Sequence, residues 1–130
     1  DGTYLYVAGE VEADFTEGVF RIPFSELGNP AYVPSNIAEG IDHDGTPSPS
    51  AEIAMYLDST SSPGHLYVRT ALGPIHVVVD PGGASPFYLG EIISVGRAGD
   101  NAAWLDPATG ALYVFETTSS SSGAFLRFDP

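Results

Sequence analysis

The sequence predicts an all-β chain built from repeated four-stranded antiparallel units. Three observations carry this expectation. Gly (15) and Pro (11) are spread through the 130 residues and punctuate against long helices. The apolar stretches between them are short, aromatic and β-branched. And one phrase recurs: "YLDSTSSPGHLYVRT" at 56–70 and "WLDPATGALYVFET" at 104–117 both run aromatic–Leu–Asp, a polar turn, then Gly-x-Leu-Tyr-Val.

Ten strands follow in order. Tyr4–Ala8 enters from the Asp1-Gly2 turn, and Val19–Pro23 returns after the acidic stretch "GEVEADFTEG" at 9–18. That stretch reads as a hairpin loop whose Glu10, Glu12, Asp14 and Glu17 solvate its tip. "FSELG" at 24–28 allows at most one helical turn. Ala31–Ile37 comes next, then a long loop over 38–52. Ile53–Leu57, Leu66–Thr70, Ile75–Asp80 and Tyr88–Val95 are separated by turns at "STSSPG", "ALG" and "PGGASP". Ala102–Leu105, Leu112–Glu116 and Ala124–Phe128 complete the set, separated by "PATG" and "SSSSG".

The repeat aligns these strands position by position. Leu57 falls on Leu105, Asp58 on Asp106, Gly64 on Gly110, Leu66-Tyr67-Val68 on Leu112-Tyr113-Val114, and Asp80-Pro81 on Asp129-Pro130. Leu5-Tyr6-Val7 supplies a third copy of the same strand. The expected organisation is one repeat domain over 1–130, with a partial unit at 1–41, a full unit at 51–97 and a partial unit at 100–130. A four-stranded unit cannot bury both faces alone, and stacking units face to face is the propeller solution. Strands such as "IHVVV", "EIISV", "AFLRF" and "IAMYL" carry apolar residues on both faces, as that solution requires. The Asp residues at strand ends read as turn makers: Asp accepts backbone N–H bonds and the following Gly supplies positive φ.

"AAWLDPATGALYVFE…GAFLRFDP" resembles one blade of a β-propeller of the NHL/YVTN-like kind. Such blades read apolar–Asp–Pro–x–x–Gly–x–Leu–Tyr–Val, a loop, then an apolar strand ending in Asp. The resemblance covers about two and a half units and implies a partial β-propeller, with a β-sandwich as the alternative. The ten strands divide into strands two to four of one blade, all of a second, and strands one to three of a third. Closed propellers need roughly four to eight blades. These strands therefore call for completion by a longer chain or by identical subunits, through edges open to strand addition. The chain starts at Asp1 and not at Met, and no signal-peptide pattern opens it, so it is expected to be processed, engineered or excerpted.

Charge narrows the partners. Asp+Glu number 17 against 4 Lys+Arg, for a net charge of −13. That excess repels phosphate backbones and anionic lipid, so neither nucleic acid nor a membrane surface is expected as partner. No apolar stretch is long enough for a membrane span. With no Cys there is neither a disulfide framework nor a thiolate metal site. The acidic surface fits plain solubility, high salt or calcium-rich surroundings.

Chemistry-bearing motifs are sparse. His43, His65 and His76 have no second His at ligand spacing, and no zinc pattern exists. His76 alternates with apolar residues in "PIHVVVD" and points either to the core or to a channel. There is no Gly-x-Ser-x-Gly elbow and no phosphate-binding Gly motif; the Ser residues cluster in loops. One constellation merits weight as a calcium loop. Asp42 and Asp44, followed by Gly45 and Thr46, place two carboxylates on a tight turn, and Glu52 or Glu39 adds oxygen. Gly in fourth and Glu52 in eleventh position differ from the EF-hand order, and the same residues also make a common exposed turn. The expectation is a non-catalytic binding or assembly module, extracellular or at a cell surface. It self-associates, or takes a protein or glycan ligand, through blade edges and loops, and has no cofactor or calcium alone. The alternative is part of a propeller hydrolase or lyase with calcium held at Asp42, Asp44 and Glu52.

Overall fold

Where short apolar stretches meet Gly- and Pro-containing turns, the chain forms strands. The structure, a computed structural model, describes residues 2–11, 16–41, 54–69, 75–93, 102–119 and 122–130. They hold ten strands: β1 (Tyr4–Val11), β2 (Thr16–Pro23), β3 (Ser35–Glu39), β4 (Ala54–Asp58), β5 (His65–Arg69), β6 (Ile75–Val79), β7 (Phe87–Ile93), β8 (Ala102–Leu105), β9 (Leu112–Ser119) and β10 (Ser122–Phe128). A single 3-10 turn at Phe24–Glu26 is the helical element among the described residues, in the stretch expected to hold one turn. No helix there is long and apolar enough to cross a membrane.

Several boundaries differ from expectation: β3 ends at Glu39, inside the expected 38–52 loop, β9 runs to Ser119 and β10 starts at Ser122, inside the expected "SSSSG" loop. The β1–β2 ladder runs on through Gly9↔Gly18, Glu10↔Glu17 and Val11↔Thr16, so much of the acidic stretch is strand. β3 starts at Ser35, four residues later than Ala31. There the backbone turns first: Ala31 N–H donates to Asn29 Oδ1 at 3.0 Å and Tyr32 N–H to Asn29 O at 3.1 Å. Pro30 and Pro34 also lack the N–H that a ladder needs.

The strands form three antiparallel sheets: a first of order β1-β2-β3, a middle of order β4-β5-β6-β7 and a last of order β8-β9-β10. The middle sheet is covered on both faces. Leu66, Val68 and Val78 pack with Val19, Ile37, Ala38 and Ile41 of the first sheet and its flank. On the other face Tyr67, Ile75 and Val77 pack with Leu112 and Val114 of the last sheet. This is the period of two at work: neighbours along a strand point to opposite faces. The result is three layers, not the two of a sandwich. Like strands lie over like, with β3 nearest β7 and β4 nearest β8. Each fully buried Leu or Val contributes roughly 1.5–3 kcal/mol through the apolar area removed from water.

A polar staple joins the first two sheets. Arg21 on β2 lies beside Tyr6 of β1, on the inner face, with its guanidinium 4.6 Å over the Tyr4 ring. It donates to the carbonyls of Pro81 (2.9 Å) and Gly83 (2.6 Å), in the turn that leads from β6 to β7. That turn is sharpened by Asp80, which takes a left-handed φ of 52° and accepts from Gly83 N–H at 2.9 Å.

Candidate functional site

Asp42, Asp44 and Glu52, the expected calcium ligands, lie outside the described residues, as does His43. Glu39 is exposed at the end of β3. Among the described residues no three His, Asp or Glu side chains converge as a metal site.

His76 has a definite place. It is buried on the face of the middle sheet toward the first sheet, in line with Val68. Its Nδ1 stands 2.8 Å from the Tyr88 hydroxyl, and the tautomer sets which of the two donates. Burial lowers its pKa, with the nearby Glu91 acting in the opposite sense. A neutral, singly bonded imidazole in a core is a packing residue.

The most unusual polar group is Asp58, at the end of β4 and almost fully buried. Its Oδ1 accepts from Thr60 N–H (2.8 Å), Thr60 Oγ1 (2.7 Å) and Ser61 N–H (3.3 Å), which closes the turn to β5. Burial raises its pKa, but the side-chain and backbone hydrogen bonds from Ser61 and Thr60 outweigh it and hold the carboxyl at about 2. Oδ2 has no hydrogen-bond partner among the described residues and sits 3.7 Å from His65 Nδ1. The turn of the last sheet passes directly over it: a Cβ on Gly110 would fall 2.5 Å from Oδ2. Beside it opens a shallow pocket of about 170 Å³, lined by Ser59, Ser61, Gly64, Asp80 and Pro81 among others. A carboxylate held this acidic is a poor base near neutral pH. Its hydroxyl partners donate to it, so none is activated as a nucleophile. The arrangement anchors a turn and the seam between two sheets.

The outer faces of the stack offer a different kind of site. Register places Trp104 of β8, Tyr113 of β9 and Arg127 of β10 in one row of the last sheet, with Phe115 opposite Phe125 beside them. Their face is opposite to that of Leu112 and Val114, which pack on the middle sheet. Tyr113 touches Trp104 (centroids 5.5 Å apart) and Phe125 (5.8 Å), and Arg127 leans over its ring at 5.8 Å. These rings remain open: Trp104 is 58% exposed, Phe115 43% and Phe125 68%. On the first sheet the outer face holds Leu5 opposite Ile22 and Val7 opposite Phe20. Leu5 and Val7 are each 39% exposed, while Phe20 is buried.

Motif reasoning missed these faces, although a signal was present. In every copy of Leu-Tyr-Val, the Leu and Val face one way along the stack and the Tyr faces the other. At the two ends of the stack, the same alternation leaves Tyr113 on one outer face and Leu5 and Val7 on the other. Comparisons with models of protein families, with curated proteins and with solved structures found no match to this chain.

Proposed function

We propose that this chain is a binding and assembly module of the extracellular space or a cell surface, built from propeller-like blades and without chemistry of its own. The observation that supports this reading best is the open aromatic face of the last sheet, with Trp104, Tyr113, Phe115 and Phe125 side by side. A contiguous apolar face on a folded domain marks an interaction site. Sheets of three, four and three strands, apolar on both faces, also fit a run of blades meant to be continued. β1 and β10 stand at the margins of their sheets, where a further strand can pair. The Asp-rich, Lys-free surface keeps such a module soluble until its faces are covered.

Trp104 is the sole tryptophan, which makes the test direct. Its emission is expected to shift to the blue, and its quenching by iodide to fall, as chain concentration rises from micromolar to millimolar. Sedimentation velocity should show growing mass over the same range. Emission of a solvent-exposed indole at every concentration, with a sedimenting monomer, would overturn the reading.

A further inference from the structure

We infer that the last sheet's outer face docks onto the first sheet's outer face of a second copy of this chain, head to tail; the inference rests on the assembly reading above and specifies its partner and direction. The molecule already contains this interface twice. Where the first sheet meets the middle one, Tyr6 and Ala8 point forward onto Leu66, Val68 and Val78. Where the middle sheet meets the last, Tyr67 points forward onto Leu112 and Val114. At the end of the stack Tyr113 points forward with no sheet over it among the described residues. The surface that fits it is a Leu and Val pair pointing backward, and Leu5 and Val7 form that pair at the other end. The two faces also overlap in strand position: Tyr113 and Phe125 lie on the second and third strands of their unit, and so do Leu5, Val7 and Ile22.

A polar feature points the same way. Arg21, Val77 and Arg127 hold equivalent positions, each paired in register with the repeated Tyr. Arg21 reaches forward to carbonyls in the β6–β7 turn of the next sheet. Arg127 projects from the outer face in the same sense, held at the rim by Asp129 at 2.6 Å. In a head-to-tail pair it meets the β2–β3 turn of the second copy, which carries backbone carbonyls and Glu26. The contact is heterologous, since one patch meets a different patch. Repetition therefore gives an open array, or a ring if the rotation closes. Both copies carry −13, so association should strengthen as added salt screens their repulsion.

The test uses the whole chain and two single-face variants. Phe125→Glu blocks the last sheet's face, and Val7→Glu blocks the first sheet's face. Far-ultraviolet circular dichroism and melting check that each folds, with Phe125→Thr and Leu5→Thr as replacements where it does not. Sedimentation equilibrium should show concentration-dependent growth beyond the dimer for the parent chain and monomer for each variant alone. An equimolar mixture should form a 1:1 heterodimer that grows no further, because one variant keeps its first face and the other its last. Arg127→Leu should weaken association of the parent chain about tenfold. A variant that still dimerises alone shows a face pairing with itself and overturns the direction while leaving the assembly reading intact. Association of the parent without pairing in the mixture does the same. A parent chain that stays monomeric up to millimolar concentration, at high salt as well, overturns both.

Discussion

The middle and last sheets carry the same phrase in the same hairpin, yet three of its equivalent positions have different fates. Asp58 and Asp106 each accept a backbone N–H two residues on and a Thr hydroxyl within three residues. Asp58 is sealed under Gly110, whereas Asp106 is only half-buried. Tyr67 is buried between two sheets, whereas Tyr113 forms part of an open face. Tyr56 is partly covered, whereas its counterpart Trp104 stands 58% exposed. The difference teaches that the hairpin is written locally, in Asp, Gly and turn residues, while burial is conferred by the neighbouring sheet. Substitutions at equivalent positions can therefore separate what the turn contributes from what the neighbour contributes.

The largest contrast is expected along the repeated Leu. Leu66 and Leu112 are essentially inaccessible, and Leu5 is 39% exposed. Truncation of either buried Leu to Ala should cost about 2–5 kcal/mol, from lost transfer energy plus the cavity left behind. Leu5→Ala in the monomer should cost about 1 kcal/mol or less. Urea unfolding of the three variants at low concentration measures this. If Leu5→Ala costs as much as Leu66→Ala, the first sheet's outer face is already covered in solution.

Gly110 comes next. Its φ of 73° lies in the left-handed region, and an added Cβ meets the Asp58 carboxylate at 2.5 Å. Gly28 has a similar φ of 87° with open space around it. Gly28→Ala should cost about 1–2 kcal/mol for backbone conformation alone. Gly110→Ala should cost about 3 kcal/mol, because it also pushes a buried carboxylate out of its seat. Thermal unfolding of the pair reads the difference, and equal costs would show that the seam over Asp58 is loose. Slightly smaller is the effect expected at the paired arginines. Arg21→Ala removes two charged hydrogen bonds across a sheet–sheet seam and should cost about 2–3 kcal/mol. Arg127→Ala removes a solvent-exposed ion pair and the guanidinium over the Tyr113 ring, and should change monomer stability by about 1 kcal/mol or less.

How much of this was legible in the sequence follows from the same division. All ten strands could be placed because turn chemistry and short apolar stretches are local signals. Asp58 and Asp106 could be read as turn makers for the same reason. The extra rungs at Glu10↔Glu17 and Val11↔Thr16 were not legible, since acidic residues beside a turn look like a loop whether or not the ladder continues. Nor was the orientation of His76: in "IHVVV" every neighbour is apolar, so alternation has no polar face to mark. The open faces were hidden by the repeat itself. Leu-Tyr-Val is identical in three places, and nothing within the phrase says which copy ends the stack. The equivalence of Arg21 and Arg127 also needs the register, because "VFRIP" and "FLRFD" align with "IHVVV" only once the strands are paired.

The smallest contrast lies in the two aspartates and is read through pH. Asp58 sits at about 2 against a usual 3.8, so between those values the unfolded chain binds more protons than the folded one. Its stabilisation is therefore complete above about pH 4, declines as the pH falls toward 2, and is lost below that. The depression corresponds to about 2 kcal/mol. Replacement by Asn keeps the Oδ1 acceptor of the turn but removes the titration. The stability gap between the parent chain and Asp58→Asn should thus narrow by about 2 kcal/mol between pH 5 and pH 2. The carboxyl of Asp106 is also lowered, by the Thr109 hydroxyl first and then the Ala108 N–H, with no sheet over it among the described residues. The gap between Asp106→Asn and the parent chain should therefore narrow in the same direction as the pH falls, since turn hydrogen bonds lower this carboxyl too. Guanidinium unfolding at stepped pH compares the three chains. A gap at Asp58 that stays constant with pH would mean that its hydrogen bonds do not favour the charged form, and the seam would then owe its stability to packing alone. If Asp106→Asn showed no acid dependence while Asp58→Asn did, the turn hydrogen bonds alone would not suffice, and the covering sheet would be needed to hold them in place.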